Sequence, residues 1–242
     1  MTPDELPAFF AGLSAWADAA SIPVETIRYG EHPDQELDFR RTAATAPIAI
    51  VLHGGFWRPG FARDTTAALA VALTRAGWAT ANVEYRRLGA GAYRELLDDV
   101  RAAARGLDAA VAIGHSAGGH LALWLAAKRD VRAAVALGGV CDLAAAERDH
   151  LGDDAVRELF GGAAREDADP AQLLPLGVQQ VLVHGVHDDR VPVEHARAYA
   201  ARARAVGDDC SLVELGDAGH FDVIDPRYHG FARIVEALPT HR

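Results

Sequence analysis

Cysteine is scarce in this chain. Cys141 and Cys210 are the only two among 242 residues. They stand far apart with no metal-ligand spacing around either, which argues against a disulfide framework or a thiolate-bound metal. Two small buried apolar residues are the expectation instead. Basic clusters are missing as well: 24 Lys and Arg face 34 Asp and Glu, for a net charge of −10. That balance argues against a nucleic-acid partner. No basic leader opens the chain, since Asp4 and Glu5 stand near its start, and Gly12, Ser14 and Asp18 break the apolar stretch that follows. A secretory signal or a membrane span needs a longer uninterrupted run, so neither is expected, and a cytoplasmic location follows by default. Repeats, low-complexity tracts and long polar linkers are absent too. One domain over residues 1–242 is the simplest organisation.

What remains is the composition of an ordinary globular protein, half hydrophobic and a quarter charged. Short β-branched and apolar runs recur at 48–52, 79–84, 110–113, 131–137, 178–183 and 211–215. Between most of them lie stretches with helical spacing, at 65–76, 93–107, 117–128 and 193–206, and residues 231–238 close the chain the same way. This alternation predicts an α/β fold with a mainly parallel central sheet and helices on both faces. The strands read as continuously apolar, as strands covered on both sides do. Gly77 and Gly207 fall just past helical runs, where a positive φ ends a helix well. Residues 1–25 read as an N-terminal helical segment with Phe9, Leu13 and Trp16 on one face. Residues 142–176 break the rhythm and are expected to form a small lid insertion.

The run "VAIGHSAGGHLALWLAA", residues 111–127, sets one serine among residues with little or no side chain. Gly114 and Gly118 flank Ser116 at minus two and plus two. A sharp strand-to-helix turn forces its central residue toward positive φ, and its neighbours two places away must be small because strand and helix nearly touch. Such a turn lifts the hydroxyl clear of the backbone and points a helix N-terminus at any developing oxyanion. A phosphate loop is excluded, since no Gly-Lys-Ser/Thr ending follows.

A serine hydroxyl needs a base, and the base needs an orienting acid. Of eleven histidines, His220 in "LGDAGHFDVID" follows the last strand run and lies at the carboxyl edge of the sheet. His187 is its nearest rival. His184 falls within or at the end of a strand and His195 on a helix. His150, His229 and His241 lie in segments read as surface. The acid is expected in "LVHGVHDDRVPVEHA", where Asp188 is preferred over its neighbour Asp189, with Asp142 as the fallback. The order Ser116, Asp188, His220 suits a nucleophile elbow. "VLHGGFWRPG" follows the strand 48–52, and the backbone N–H groups of Gly55 and Phe56, with that of Ala117, are expected to form an oxyanion hole. Trp57 and His115 are expected to line the substrate pocket.

With these residues assembled, the chain resembles the α/β-hydrolase superfamily from about residue 46 to 225, through "HGGFW", "GHSAGGHLA", "HDDRVP" and "GHFD". "HGGFW" is similar to the His-Gly-Gly motif of esterases related to hormone-sensitive lipase and to that of kynurenine formamidases. "HDDRVP" is similar to the serine peptidases of the prolyl oligopeptidase type. No propeller domain precedes the elbow, which disfavours peptidase action on folded partners. The resemblance maps the catalytic serine, acid and histidine onto Ser116, Asp188 and His220, with no metal or organic cofactor. Phe56 stands where the lipase-like motif commonly has a third glycine, and with Trp57 it narrows the expected pocket toward small acyl groups. The expected activity is that of a serine carboxylesterase, with an arylformamidase as alternative and a non-catalytic binding protein as a remote one. The expected partner is a small-molecule ester or amide; a homodimer is allowed.

Overall fold

The computed structural model describes residues 1–2, 4–87 and 93–239. His241, read above as surface, lies outside the described residues.

Six strands build the parallel part of the sheet: β3 (Ile48–Leu52), β4 (Ala79–Val83), β5 (Val111–His115), β6 (Ala133–Leu137), β7 (Gln179–Gly185) and β8 (Cys210–Leu215). Each falls within two residues of an apolar run seen in the sequence. Two further strands, β1 (Glu25–Arg28) and β2 (Glu36–Arg40), precede them. The sheet order is β1-β2-β4-β3-β5-β6-β7-β8, and β1 and β2 are its antiparallel members. No apolar run in the sequence marks this edge pair. "ETIR" is too short and polar for an apolar-run signal, and it is mostly exposed.

Helices cover both faces. On one side lie α1 (Leu6–Ala19), α2 (Ala67–Arg75) and α8 (Phe231–Glu236); on the other lie α3 (Tyr93–Leu107), α4 (Ala117–Ala127) and α7 (Val193–Ala205). β3 shows why its residues are apolar without alternation: Ala49 and Val51 face the α2 side, while Ile50 and Leu52 face the α4 side. The helical run 65–76 divides in two, with a 3-10 turn at Arg63–Thr66 leading into α2.

The insertion expected at 142–176 holds α5 (Leu143–Arg148) and α6 (Leu151–Phe160). His150, Gly152, Asp153 and Asp154 all take positive φ between 53° and 63°. A left-handed turn thus begins α6 above the carboxyl edge of the sheet. Both cysteines are free and buried, and burial pushes the Cys141 thiol well above its ordinary range and that of Cys210 up to about 11. Among the described residues no helix is long and apolar enough to cross a membrane.

Candidate active site

Ser116 sits between β5 and α4 with φ 54° and ψ −117°. A side chain on Gly114 would run into the carbonyl of Gly118, and one on Gly118 into the carbonyl oxygen of Leu52. Neither position admits a Cβ, so the two glycines are a packing condition of the turn. Backbone hydrogen bonds fix the turn from both sides. The Ser116 N–H donates to Leu137 O at 2.9 Å, and its carbonyl accepts from Gly119 at 2.9 Å and Val140 at 3.1 Å.

Asp188 and His220 meet as expected. His220 Nδ1 donates to Asp188 Oδ2 at 2.7 Å. A carboxylate oxygen only accepts, so the ring proton resides on Nδ1 and the lone pair on Nε2. The other carboxylate oxygen, Oδ1, accepts from the N–H groups of Arg190 at 2.9 Å and Val191 at 2.8 Å. Burial pushes the Asp188 carboxyl upward, yet hydrogen bonds from His184 and His220, the His220 charge and the Val191 N–H outweigh it and hold the group well below the usual carboxylate range. His220 and Ser116 line one cavity of about 200 Å³.

His115, one residue before the nucleophile, borders the same cavity. It donates from Nε2 to the His220 carbonyl at 3.0 Å, and the two rings stand 4.6 Å apart. Burial and the neighbouring His220 push its pKa down to about 3, so it is neutral.

Gly55 and Phe56 also line the cavity. The N–H groups of Gly55, Phe56 and Ala117 donate to no described residue, as unoccupied donors must if they are to receive a ligand oxygen. The loop is anchored through His53, whose Nε2 donates to Glu84 Oε1 at 3.0 Å and whose ring stacks on Tyr85 at 4.2 Å. Trp57 departs from expectation. Phe56 and Trp57 both take positive φ, 50° and 60°, which turns the indole away from Ser116. It packs into the core against His120, 3% exposed, and is not a wall of the Ser116 cavity.

The rival residues lie elsewhere. Asp142 caps α5 by accepting from Ala145 and pairs with Arg202 at 2.6 Å. The Asp189 side chain is half exposed, while Asp188 is covered. His195 pairs with Asp149, His150 with Asp154 and His229 with Asp217. His187 donates its backbone N–H to Ala218 and contributes no ring contact to the Asp188–His220 pair.

Three features of the site escaped sequence reasoning. Leu6 and Phe10 of α1 reach across the fold to wall the cavity, with Phe61 and Phe221 beside them. Gly138, at φ +55°, lets Asp188 and His220 approach the β6 end: a Cβ there would stand 3.2 Å from Asp188 Oδ2 and 3.3 Å from His220 Nδ1. His184 contacts the acid from within β7, and an imidazole inside an apolar strand run was the signal available for it. Among the described residues, no group of three or more His, Cys, Asp or Glu is placed to hold a metal ion.

Comparison with known proteins places this geometry. Esterase LipC of Mycobacterium tuberculosis is 28% identical over 89% of this chain, which spans 65% of that relative's length. Among solved structures, esterase B from Lactobacillus rhamnosis superposes with a TM-score of 0.76 at 20% identity, covering 96% of this chain and 91% of that one. Thermogutta terrifontis esterase 2 gives 0.73 at 19% identity, covering 88% and 91%. At such identities the structures share the α/β-hydrolase fold. The pattern of the prolyl oligopeptidase family (Peptidase_S9) matches residues 77–236, a span running from β4 through the elbow and both loops that carry Asp188 and His220, and the chain belongs to that family.

Proposed function

We propose that the protein is a serine hydrolase that cleaves small carboxylic esters through an acyl-enzyme. One observation carries the reading: His220, hydrogen-bonded to the buried Asp188, and the strained Ser116 border one cavity. His220 Nε2 takes the proton of Ser116 as Oγ attacks the ester carbonyl. The Gly55, Phe56 and Ala117 amides receive the oxyanion, and His220 returns the proton to the departing alkoxide. Water then repeats the sequence, releasing the acid and restoring the serine. Asp188 holds the imidazole tautomer and balances its charge. No hydrogen bond joins the Ser116 hydroxyl to His220 in the resting geometry, and such contacts commonly tighten only with substrate bound.

Esters are favoured over formamides because the relatives named above carry esterase names. The Thermogutta enzyme has been solved with butyrate and propionate bound and phosphonylated by sarin. The small cavity with its apolar walls Leu6, Phe10, Phe56, Phe61 and Phe221 suits short acyl groups of that kind.

Hydrolysis of p-nitrophenyl acetate and labelling by a fluorophosphonate test the proposal together. Ser116→Ala is expected to lower kcat by roughly 10⁴- to 10⁶-fold and to abolish labelling. A variant keeping a tenth of the wild-type rate rules the assignment out. A wild-type protein that takes up no label indicates the binding-protein alternative. A kcat/KM for N-formylkynurenine exceeding that for the ester by about 10² or more replaces the ester reading with the formamide one.

A further inference from the structure

We propose that His184, buried within β7, is a positioning residue that clamps the Asp188 carboxylate and divides its hydrogen-bonding capacity with His220. The inference rests on the serine-hydrolase reading and concerns a residue that does not touch the reacting atoms.

His184 is 1% exposed. Its Nε2 lies 2.8 Å from Val191 O and 3.2 Å from Asp188 Oδ2. Both oxygens accept and neither carries a proton, so Nε2 must bear the hydrogen and share it between them. The Val191 peptide is then held at both ends, its carbonyl by His184 and its N–H by Asp188 Oδ1 at 2.8 Å. Ring, peptide and carboxylate close a loop that fixes where Asp188 points. Each carboxylate oxygen has two partners: Oδ1 accepts from Arg190 and Val191, and Oδ2 accepts from His220 and faces His184 Nε2 at 3.2 Å.

The division at Oδ2 has a chemical consequence. When His220 takes the serine proton, Asp188 balances the new charge. A carboxylate oxygen already accepting from His184 is a weaker partner for the imidazolium than an undivided one. His184 thereby sets how readily His220 is protonated in the resting enzyme, and so the pH at which the base becomes available.

Other charges face this cluster. Asp189 and Arg190, on the Asp188 loop, pair with each other at 3.5 Å. From β5 comes the neutral His115. From the loop after β8, Asp222 accepts the Gly219 N–H beside His220, and His187 and Asp222 border a second small cavity with His220. On β8, Glu214 is registered opposite His184 and is paired with Arg197 at 2.6 Å. None of these makes a hydrogen bond to Oδ2, so among the described residues His184 alone divides that oxygen with His220.

The test compares His184→Leu, which removes the donor, with His184→Gln, which keeps an N–H within reach. In the Leu variant the acid limb of the kcat/KM profile for p-nitrophenyl acetate is expected to move to higher pH by about half a unit to one unit. Its kcat is expected to fall roughly tenfold, with KM little changed. The Gln variant is expected to restore both toward wild type. His184→Asn, polar but too short to reach Oδ2, substitutes for the Leu variant should that one not fold. A folded Leu or Asn variant with an unmoved acid limb overturns the proposal, and so does a Gln variant shifted as far as Leu. Nitrogen NMR of the wild-type protein gives an independent reading: a His184 ring lacking a proton on Nε2 also overturns it. Fluorophosphonate labelling of wild-type Ser116 separates the two claims, because labelled wild type with unshifted variants refutes the role of His184 and leaves the serine mechanism intact.

Discussion

Mild acid is expected to destabilise this protein through two buried imidazoles, His115 and His120. Burial pushes their pKa values down from 6.5 to about 3 and about 4. A base depressed in this way binds fewer protons folded than unfolded. Its penalty is absent above the unfolded value, grows as pH falls through about 6.5, and stops growing only at the folded value. Between about pH 7 and about pH 5 each unfolded-state imidazole takes up about three-quarters of a proton while its folded counterpart takes up almost none, which costs about 2 kcal/mol per histidine and about 4 kcal/mol for the pair. Against a total stability of roughly 5–15 kcal/mol that loss is large. Asp188, whose carboxyl is held low, keeps its contribution throughout this window, because that is lost only as pH falls below the ordinary carboxylate range. Asp169, pushed up by burial, works in the opposite sense and reduces the total. Urea unfolding followed by the fluorescence of the four tryptophans measures the effect. Substitution His120→Gln isolates one of its terms, since the amide can still donate to Ala168 O as His120 Nε2 does at 2.8 Å. That variant should lose about 2 kcal/mol less than wild type over the same interval. Equal losses in both proteins would refute the reasoning.

Two further substitutions probe the site from opposite sides. Gly138→Ala puts a methyl group 3.2 Å from Asp188 Oδ2 on a backbone at φ +55°. We expect a lower Tm from the strain, about 1 kcal/mol, and a kcat reduced roughly ten- to hundredfold by displacement of the acid–base pair; wild-type kcat in the folded variant contradicts that placement. Phe10→Ala removes an α1 wall of the cavity. The ratio of kcat/KM for p-nitrophenyl octanoate over acetate should rise by roughly tenfold, and an unchanged ratio means that α1 does not limit the acyl group.

The part of the fold and site that was legible in the sequence is the part governed by local rules. The inner parallel strands announce themselves because both faces are buried, so their residues are largely apolar, and wholly so in Ile48–Leu52 and Ala133–Leu137. Ser116 was legible because the turn admits no side chain at Gly114 or Gly118, a constraint confined to a few consecutive residues. The side chains of the adjacent Asp188 and Asp189 diverge, so the loop aims one of the two inward, and the structure buries Asp188 and leaves Asp189 half exposed. Trp57 was misplaced for an equally local reason: nothing in "HGGFW" discloses that Phe56 and Trp57 both take positive φ, and that rotation sends the indole into the core.

What escaped the sequence depends on distance along the chain. Phe10 shares a cavity with Ser116 only because α1 packs on α2 and carries its N-terminal turns over the carboxyl edge of the sheet. Gly138 matters because β6 lies between β5 and β7 in the sheet, so the end of β6 faces residues 50 and 82 positions further on. The anchoring of the Gly55 and Phe56 loop is likewise remote, since Glu84 leaves β4, the neighbour of β3, and reaches His53 with an acceptor at 3.0 Å. The first is set by helix packing and the other two by strand order, neither of which a short motif encodes. A motif therefore identifies the candidate groups, while the residues that hold them in place become visible only once the fold is known. Variants at Phe10 and Gly138 test this division because neither position belongs to any of the four motifs, yet both border the groups those motifs supply.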